Sequence, residues 1–259
     1  MKITILGSGT SHGIPVIGCE CDVCMSQDPK DNRTRSSILI EHKNRIILVD
    51  TGPDFRFQAL RAGISRLDGI LLTHSHADHC HGLDDTRSLT YRKTLDVYGS
   101  EETLAEIRKK FDYVFENTQI GGGKPNLRLV DHHGAEIAIG EVRIQPIPVK
   151  HGELKIYGYR IGSFGYITDA SEIPVSSFSL LSGIQTLVIN ALRYRPHPTH
   201  FNIDQALEVS QKIGAKEVWI THLCHDVSHK TLTEDLDGIH EENRKVLPAY
   251  DGLELEIDE

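Results

Sequence analysis

Residues 69–73 (GILLT) lead without a break into His74-Ser75-His76-Ala77-Asp78-His79. The apolar run predicts a short buried strand. His74 and His76 are two residues apart, so extended backbone sends both side chains to one side. Asp78 and His79 follow as the chain turns into a helix. Four potential ligands therefore converge at the C-terminal end of a strand, where layered α/β folds build their sites. Imidazole together with carboxylate suits Zn, Mn or Fe. A polar turn that merely happened to be His-rich would not need residue type, spacing and position to agree.

The remaining pattern fits a layered fold. Residues 2–6 (KITIL) predict a strand, and runs at 37–42 and 45–50 flanking Lys43-Asn44 predict a hairpin. Residues 54–62 predict a helix, with Phe55, Phe57, Leu60 and Ala62 among polar residues and Gly63 near its end. A strand at 94–98 and a helix at 101–111 follow. Strands are predicted at 127–130, 141–149, 155–161 and 165–168. Next come a short helix at 176–181, a strand at 186–190, a helix at 203–213, and strands at 217–221 and 253–257. Residues 121–126 (GGGKPN) read as a flexible turn at the edge of a lid. Both halves run strands first and then alternate strand with helix, with no repeat of 20–50 residues. The predicted class is α/β, a four-layer αββα sandwich. No linker marks a boundary, so one domain is expected over 1–259.

Composition narrows the function. Histidine, the commonest metal-ligating side chain, occurs 15 times in 259 residues. The formal net charge is −9, which opposes a broad phosphate-binding surface for long nucleic acid. A small anionic substrate stays open, because a bound metal inverts the local charge. The start, MKITILGSGT, lacks the apolar stretch of a signal peptide, and no run approaches the length of a membrane span. A cytoplasmic protein with reduced thiols is expected.

Three of the five cysteines, Cys19, Cys21 and Cys24, fall within six residues. A disulfide would leave one thiol over. Three thiolates in a tight loop favour a structural zinc, which takes four N or S ligands. The fourth must come from elsewhere in the chain. His225, three residues beyond His222, and its neighbour Cys224 are the candidates.

The His-x-His-x-Asp-His run after a strand resembles the signature of the metallo-β-lactamase superfamily. Further segments resemble its later motifs, in order: VDTGPD (Asp50), PVKHG (His151), YITDAS (Asp169) and WITHLCHD (His222). The resemblance implies that His74, His76 and His151 hold one metal ion. Asp78, His79 and His222 hold the other, Asp169 bridges the two, and Asp50 orients the metal loop. Cys19-x-Cys21-x2-Cys24 with His225 as fourth ligand resembles one branch in particular. That branch includes the phosphoribosyl cyclic phosphodiesterase of the carbon–phosphorus lyase pathway. It implies a zinc loop at about 18–25, a homodimer, and a general-acid histidine in RPHPTHFN. His200 matches that acid, and Asp78 shares in proton handling. His197, between two prolines, reads as structural or substrate-lining. GSGTSHG is not a dinucleotide fingerprint, since His12 stands where a third glycine belongs; it reads as a turn lining a substrate phosphate.

Two divalent ions, two ligand carboxylates and a bridging hydroxide sum to a charge of about +1, which suits a phosphodiester. The expected function is metal-dependent hydrolysis of small cyclic or nucleotide-like phosphodiesters, with no membrane partner. A tRNA 3′-processing endonuclease would need a basic docking arm that the chain lacks. A thioester or lactone hydrolase would have no use for His200 as an acid to a leaving oxygen. A non-catalytic scaffold would not keep the whole ligand set.

Overall fold

The computed structural model describes residues 1–116, 123–237 and 244–258. Two of the residues read as a lid edge, Gly121 and Gly122, lie outside them.

The strands are β1 (Lys2–Gly7), β2 (Ser37–His42), β3 (Arg45–Val49), β4 (Gly69–Leu71), β5 (Leu95–Gly99), β6 (Leu127–Asp131), β7 (Ile137–Ile139), β8 (Val142–His151), β9 (Leu154–Ile161), β10 (Phe164–Ile167), β11 (Thr186–Asn190), β12 (Glu217–Thr221), β13 (Lys245–Pro248) and β14 (Glu254–Glu256). The helices are α1 (Phe55–Arg61), α2 (Ala77–Cys80), α3 (Glu101–Lys110), α4 (Asp112–Phe115), α5 (Val175–Leu181), α6 (Ile203–Ile213) and α7 (His229–Asp237). One seven-stranded sheet has the order β14-β1-β2-β3-β4-β5-β6; the other runs β13-β12-β11-β10-β9-β8-β7. Each sheet comes from one half of the sequence, except that β14 returns to pair antiparallel with β1.

Side-chain alternation builds the layers. In β3, Ile47 and Val49 enter the core between the sheets, while Leu48 faces the outer cluster with Phe55 and Ile107. In β11, Val188 points to the inter-sheet core and Leu187 and Ile189 to the opposite face, with Phe201, Ala206 and Leu232. Strands buried on both faces read as continuous apolar runs, as in TLVIN. The result is the expected αββα sandwich.

Differences from the sequence reading sit at the edges. The short edge strands β7 and β13 and the helices α4 and α7 were not predicted. About half of the other boundaries moved, by one or two residues. Among the described residues, no helix is long and apolar enough to cross a membrane.

Candidate metal centre

Asp50 follows β3 with a positive φ of 62° and is fully buried. Its carboxylate accepts from the Thr73 N–H at 2.9 Å, the Thr73 hydroxyl at 2.8 Å and His79 Nδ1 at 2.7 Å. A carboxylate only accepts, so His79 carries its proton on Nδ1 and presents Nε2 to the cluster. Thr73 spends its one proton on Asp50, so its oxygen takes a proton from His74 Nδ1 at 3.0 Å, which leaves Nε2 of His74 free. His151 donates from Nδ1 to the Thr199 carbonyl at 2.7 Å and likewise frees Nε2. Three candidate ligand histidines are thus fixed by partners behind them, as metal-binding imidazoles are.

Backbone packing supports the loop. The Thr51 N–H donates to the His79 carbonyl at 2.8 Å. A Cβ on Gly52 would fall 2.1 Å from the Asp78 carbonyl oxygen, so only glycine fits there. Asp50, Asp169 and His222 all take left-handed backbone, an uncommon conformation that clusters at functional sites.

His74, His76 and His151 converge as expected, their ligand atoms within 4.8 Å of one another. Two more compact groups share Asp169: His74 with His79, and His151 with His200. Asp169 is buried after β10 and fixed by the Thr168 hydroxyl at 2.7 Å. Its Oδ2 lies 3.2 Å from His79 Nε2 and 3.3 Å from His222 Nδ1, within reach of two candidate ligands at once. Asp78 Oδ2 is 3.1 Å from His79 Nε2.

The second ligand set is brought together less completely. His222 belongs to none of these compact groups. Thr10 Oγ1 stands 3.2 Å from its Nε2, and Ser36 Oγ stands 3.2 Å from its Nδ1. His200, read from the sequence as an acid, also lies in a potential ligand group, with Nδ1 3.8 Å from Asp169 Oδ1.

The donor set fits a cation. His74 Nε2, His79 Nε2 and His200 Nδ1 are buried without a hydrogen-bond partner, a cost that native proteins rarely leave unexplained. Burial disfavours a charge on His79, yet Asp169, Asp50 and Asp78 override it and raise its pKa well above the usual value. The carboxylates ask for positive charge where Nε2 points. Burial and the neighbouring His222 hold His200 down to about 3.

The cysteine loop closes on His225, in the segment that follows β12. Sγ of Cys19, Cys21 and Cys24 lie 3.2, 3.5 and 3.6 Å from His225 Nδ1. Zinc bonds of ordinary length at tetrahedral angles set S···N at about 3.6 Å. All five cysteines are free thiols. Cys24's backbone N–H and its neighbouring thiols bring Cys21 down to about 7, which favours the thiolate that zinc needs. Cys224 is not in the group. Its carbonyl accepts from Arg33, a fully buried guanidinium paired with Asp31 at 3.0 Å, which ties the His222–His225 segment to the N-terminal region. Sequence reasoning missed Arg33, Ser36, Thr73 and Thr168; Thr73 and Thr168, each adjoining a motif ligand, carried the only signal.

A cleft of about 230 Å³ leads from His200 past His197 and Arg193 to Thr10, Ser11 and His12. The GSGTSHG turn therefore lines the approach to the metal cluster. The capping box of Asn202 and Gln205 at the start of α6 fixes the end of the His197–His200 loop.

The family model described as a β-lactamase superfamily domain matches residues 45–223. A Porphyromonas gingivalis protein named octanoyltransferase is 40% identical over 267 residues, covering 100% of this chain and 52% of that protein. The chain thus spans about half the length of that relative. A ribonuclease Z of Methanopyrus kandleri is 26% identical, covering 88% of this chain and 94% of its own. A crystal structure described as a new diphosphatase from the PhnP family superposes with a TM-score of 0.90 at 39% identity, covering 99% of this chain and 98% of that one. Domain match, backbone course and ligand spacing agree, and the chain belongs to the metallo-β-lactamase superfamily.

Proposed function

We propose that this chain is a metal-dependent hydrolase of small cyclic or nucleotide-like phosphodiesters. The observation that carries the reading is its likeness along almost the whole chain, at 39% identity, to a structure described as a diphosphatase. The superfamily's cation site is kept with every expected ligand type present. Divalent ions bound there supply Lewis acidity to phosphoryl oxygens and acidify an attacking water.

The chain's own residues do the rest. His74, His76 and His151 would hold one ion, and His79 and Asp78, with His222, would hold a second, with Asp169 within reach of both ligand sets. Zn, Mn and Fe all suit these donors. Asp50 keeps His79 aimed. His200 donates the proton that the leaving oxygen needs, and an anionic substrate offsets the burial that holds its pKa down. Cys19, Cys21, Cys24 and His225 hold a structural zinc that pins the N-terminal loop beside the cleft.

A second reading, cleavage of a P–O–P bond in a disubstituted diphosphate, is favoured by the name of that neighbour. Ribonuclease activity is disfavoured by the net charge of −9. The test is a panel of an aryl phosphodiester, 2′,3′-cyclic nucleotides, a ribose 1,2-cyclic phosphate and a disubstituted diphosphate, with Mn or Zn. Turnover of the diesters supports the first reading. Turnover of the diphosphate alone selects the second, and no turnover of any rejects both.

A further inference from the structure

We infer that the cavity beside the cysteine loop is a distal substrate subsite, in which Arg193 anchors a second anionic group, a phosphomonoester, carried by the diester being cleaved. The cleft that reaches His200 holds about 230 Å³, less than the roughly 300–1,000 Å³ usual for a small-molecule site. A neighbouring cavity of about 410 Å³ supplies further room. Arg193, His225 and Asp226 line both, so the two spaces meet along one wall. Asp22 and Val23 of the cysteine loop line the second cavity.

Arg193 is built into the shared wall, three residues beyond β11. Its carbonyl accepts from the Ile203 N–H at 3.0 Å. The carbonyls on either side accept from the Cys224 N–H at 3.0 Å and the Asn202 side-chain amide at 3.1 Å. The backbone is thus held from α6 and from the segment after β12, while the side chain keeps 26% of its surface open. Its charge is only partly engaged. Asp226 Oδ2 accepts from Arg195 Nη2 at 2.6 Å and stands 3.7 Å from Arg193 Nη1, beyond hydrogen-bond length. Arg193 Nε is buried without a hydrogen-bond partner. Two guanidinium groups against one carboxylate leave a charge of about +1 on this wall; Asp22, the other charge lining the cavity, is exposed and screened by solvent. A guanidinium fork matches phosphate oxygens two at a time. The scissile diester belongs at the His/Asp cluster, so the anion met by Arg193 is a second one.

The inference rests on the phosphodiesterase reading, and its test separates the two. The probes are 2′,3′-cyclic AMP with and without a 5′-phosphate, and the products adenosine 3′,5′-bisphosphate and 3′-AMP, all on the metal-loaded protein. The 5′-phosphorylated diester should have the lower KM. In Arg193→Ala that preference should fall about 10- to 100-fold, the loss expected of hydrogen bonds between charged groups, as a change in KM rather than kcat. Arg193→Lys should restore part of it. Val23→Trp, which fills the cavity from the cysteine loop, should lower the same preference, and it decides the matter if Arg193→Ala does not fold. Calorimetry of the two products should show the same Arg193-dependent preference without turnover. No preference for the 5′-phosphate in the unmodified protein overturns the inference. So does a preference that survives intact in folded Arg193→Ala or Val23→Trp. Hydrolysis of neither diester instead refutes the phosphodiesterase reading, and the product preference then decides the subsite alone.

Discussion

Asp50 and His79 share a 2.7 Å hydrogen bond with both side chains wholly out of solvent. Asp50 directly follows β3 and His79 lies in α2, so one carboxylate welds the end of the hairpin to the metal loop. Asp50→Asn turns one acceptor oxygen into a donor and breaks the set of three accepted bonds. The expected outcome is a 10- to 100-fold loss of affinity for the His/Asp-bound metal, with the cysteine-bound zinc retained. Metal analysis after competition with a chelator checks it.

Cys21→Ser removes one thiol from the proposed zinc site. Bound zinc should fall by about one ion per chain. Structural zinc contributes directly to folding. A loss of about 3 kcal/mol, and with it about 6 to 12 °C of Tm, is expected in a chain of this size. Thermal unfolding beside zinc analysis decides; unchanged zinc content refutes the assignment.

His200 stands where an acid and a ligand predict different results. As the proton donor to the leaving oxygen, His200→Ala should leave metal content intact and cut turnover by about 10²- to 10⁴-fold. As a ligand in its group with His151 and Asp169, the same change would release metal. Metal content and kcat measured on one preparation separate the two roles.

His132 sets a pH response outside the candidate ligand set. Burial holds its pKa down to about 4, against 6.5 for a free histidine, with Asp131, Glu102, His133 and Lys155 nearby. Its Nδ1 accepts from the Gly134 N–H at 2.9 Å, which requires the neutral ring. The unfolded chain binds the proton more readily than the folded one between those values. Stability from this group is therefore complete above pH 6.5 and lost as the pH falls toward 4, by on the order of 1 to 2 kcal/mol. His132→Gln should flatten the urea midpoint against pH over that window.

The sequence made some of this legible and not the rest, for physical reasons. β11, α6 and β12 lie where the pattern places them, because each is long, periodic and bounded by turn residues. β7 and β13 are edge strands of three and four residues, defined by their pairing with β8 and β12 rather than by their own pattern. The metal ligands were legible because histidine and aspartate at fixed spacing after strands are rarely accidental. The hydroxyls of Thr10, Ser36 and Thr168 were not. Serine and threonine are common everywhere, and only the packing of the two sheets brings three of them around His222. The less compact placing of His222 was illegible for the same reason.

On the proposed function, metal ions on the His/Asp cluster drive phosphodiester hydrolysis. The direct test strips the protein of its active-site metal and follows hydrolysis of an aryl phosphodiester as Mn is restored. Turnover should be negligible without metal and recover to saturation as the cluster fills, with no recovery in His76→Ala. Turnover that is indifferent to added metal, or that survives unchanged in His76→Ala, would contradict it.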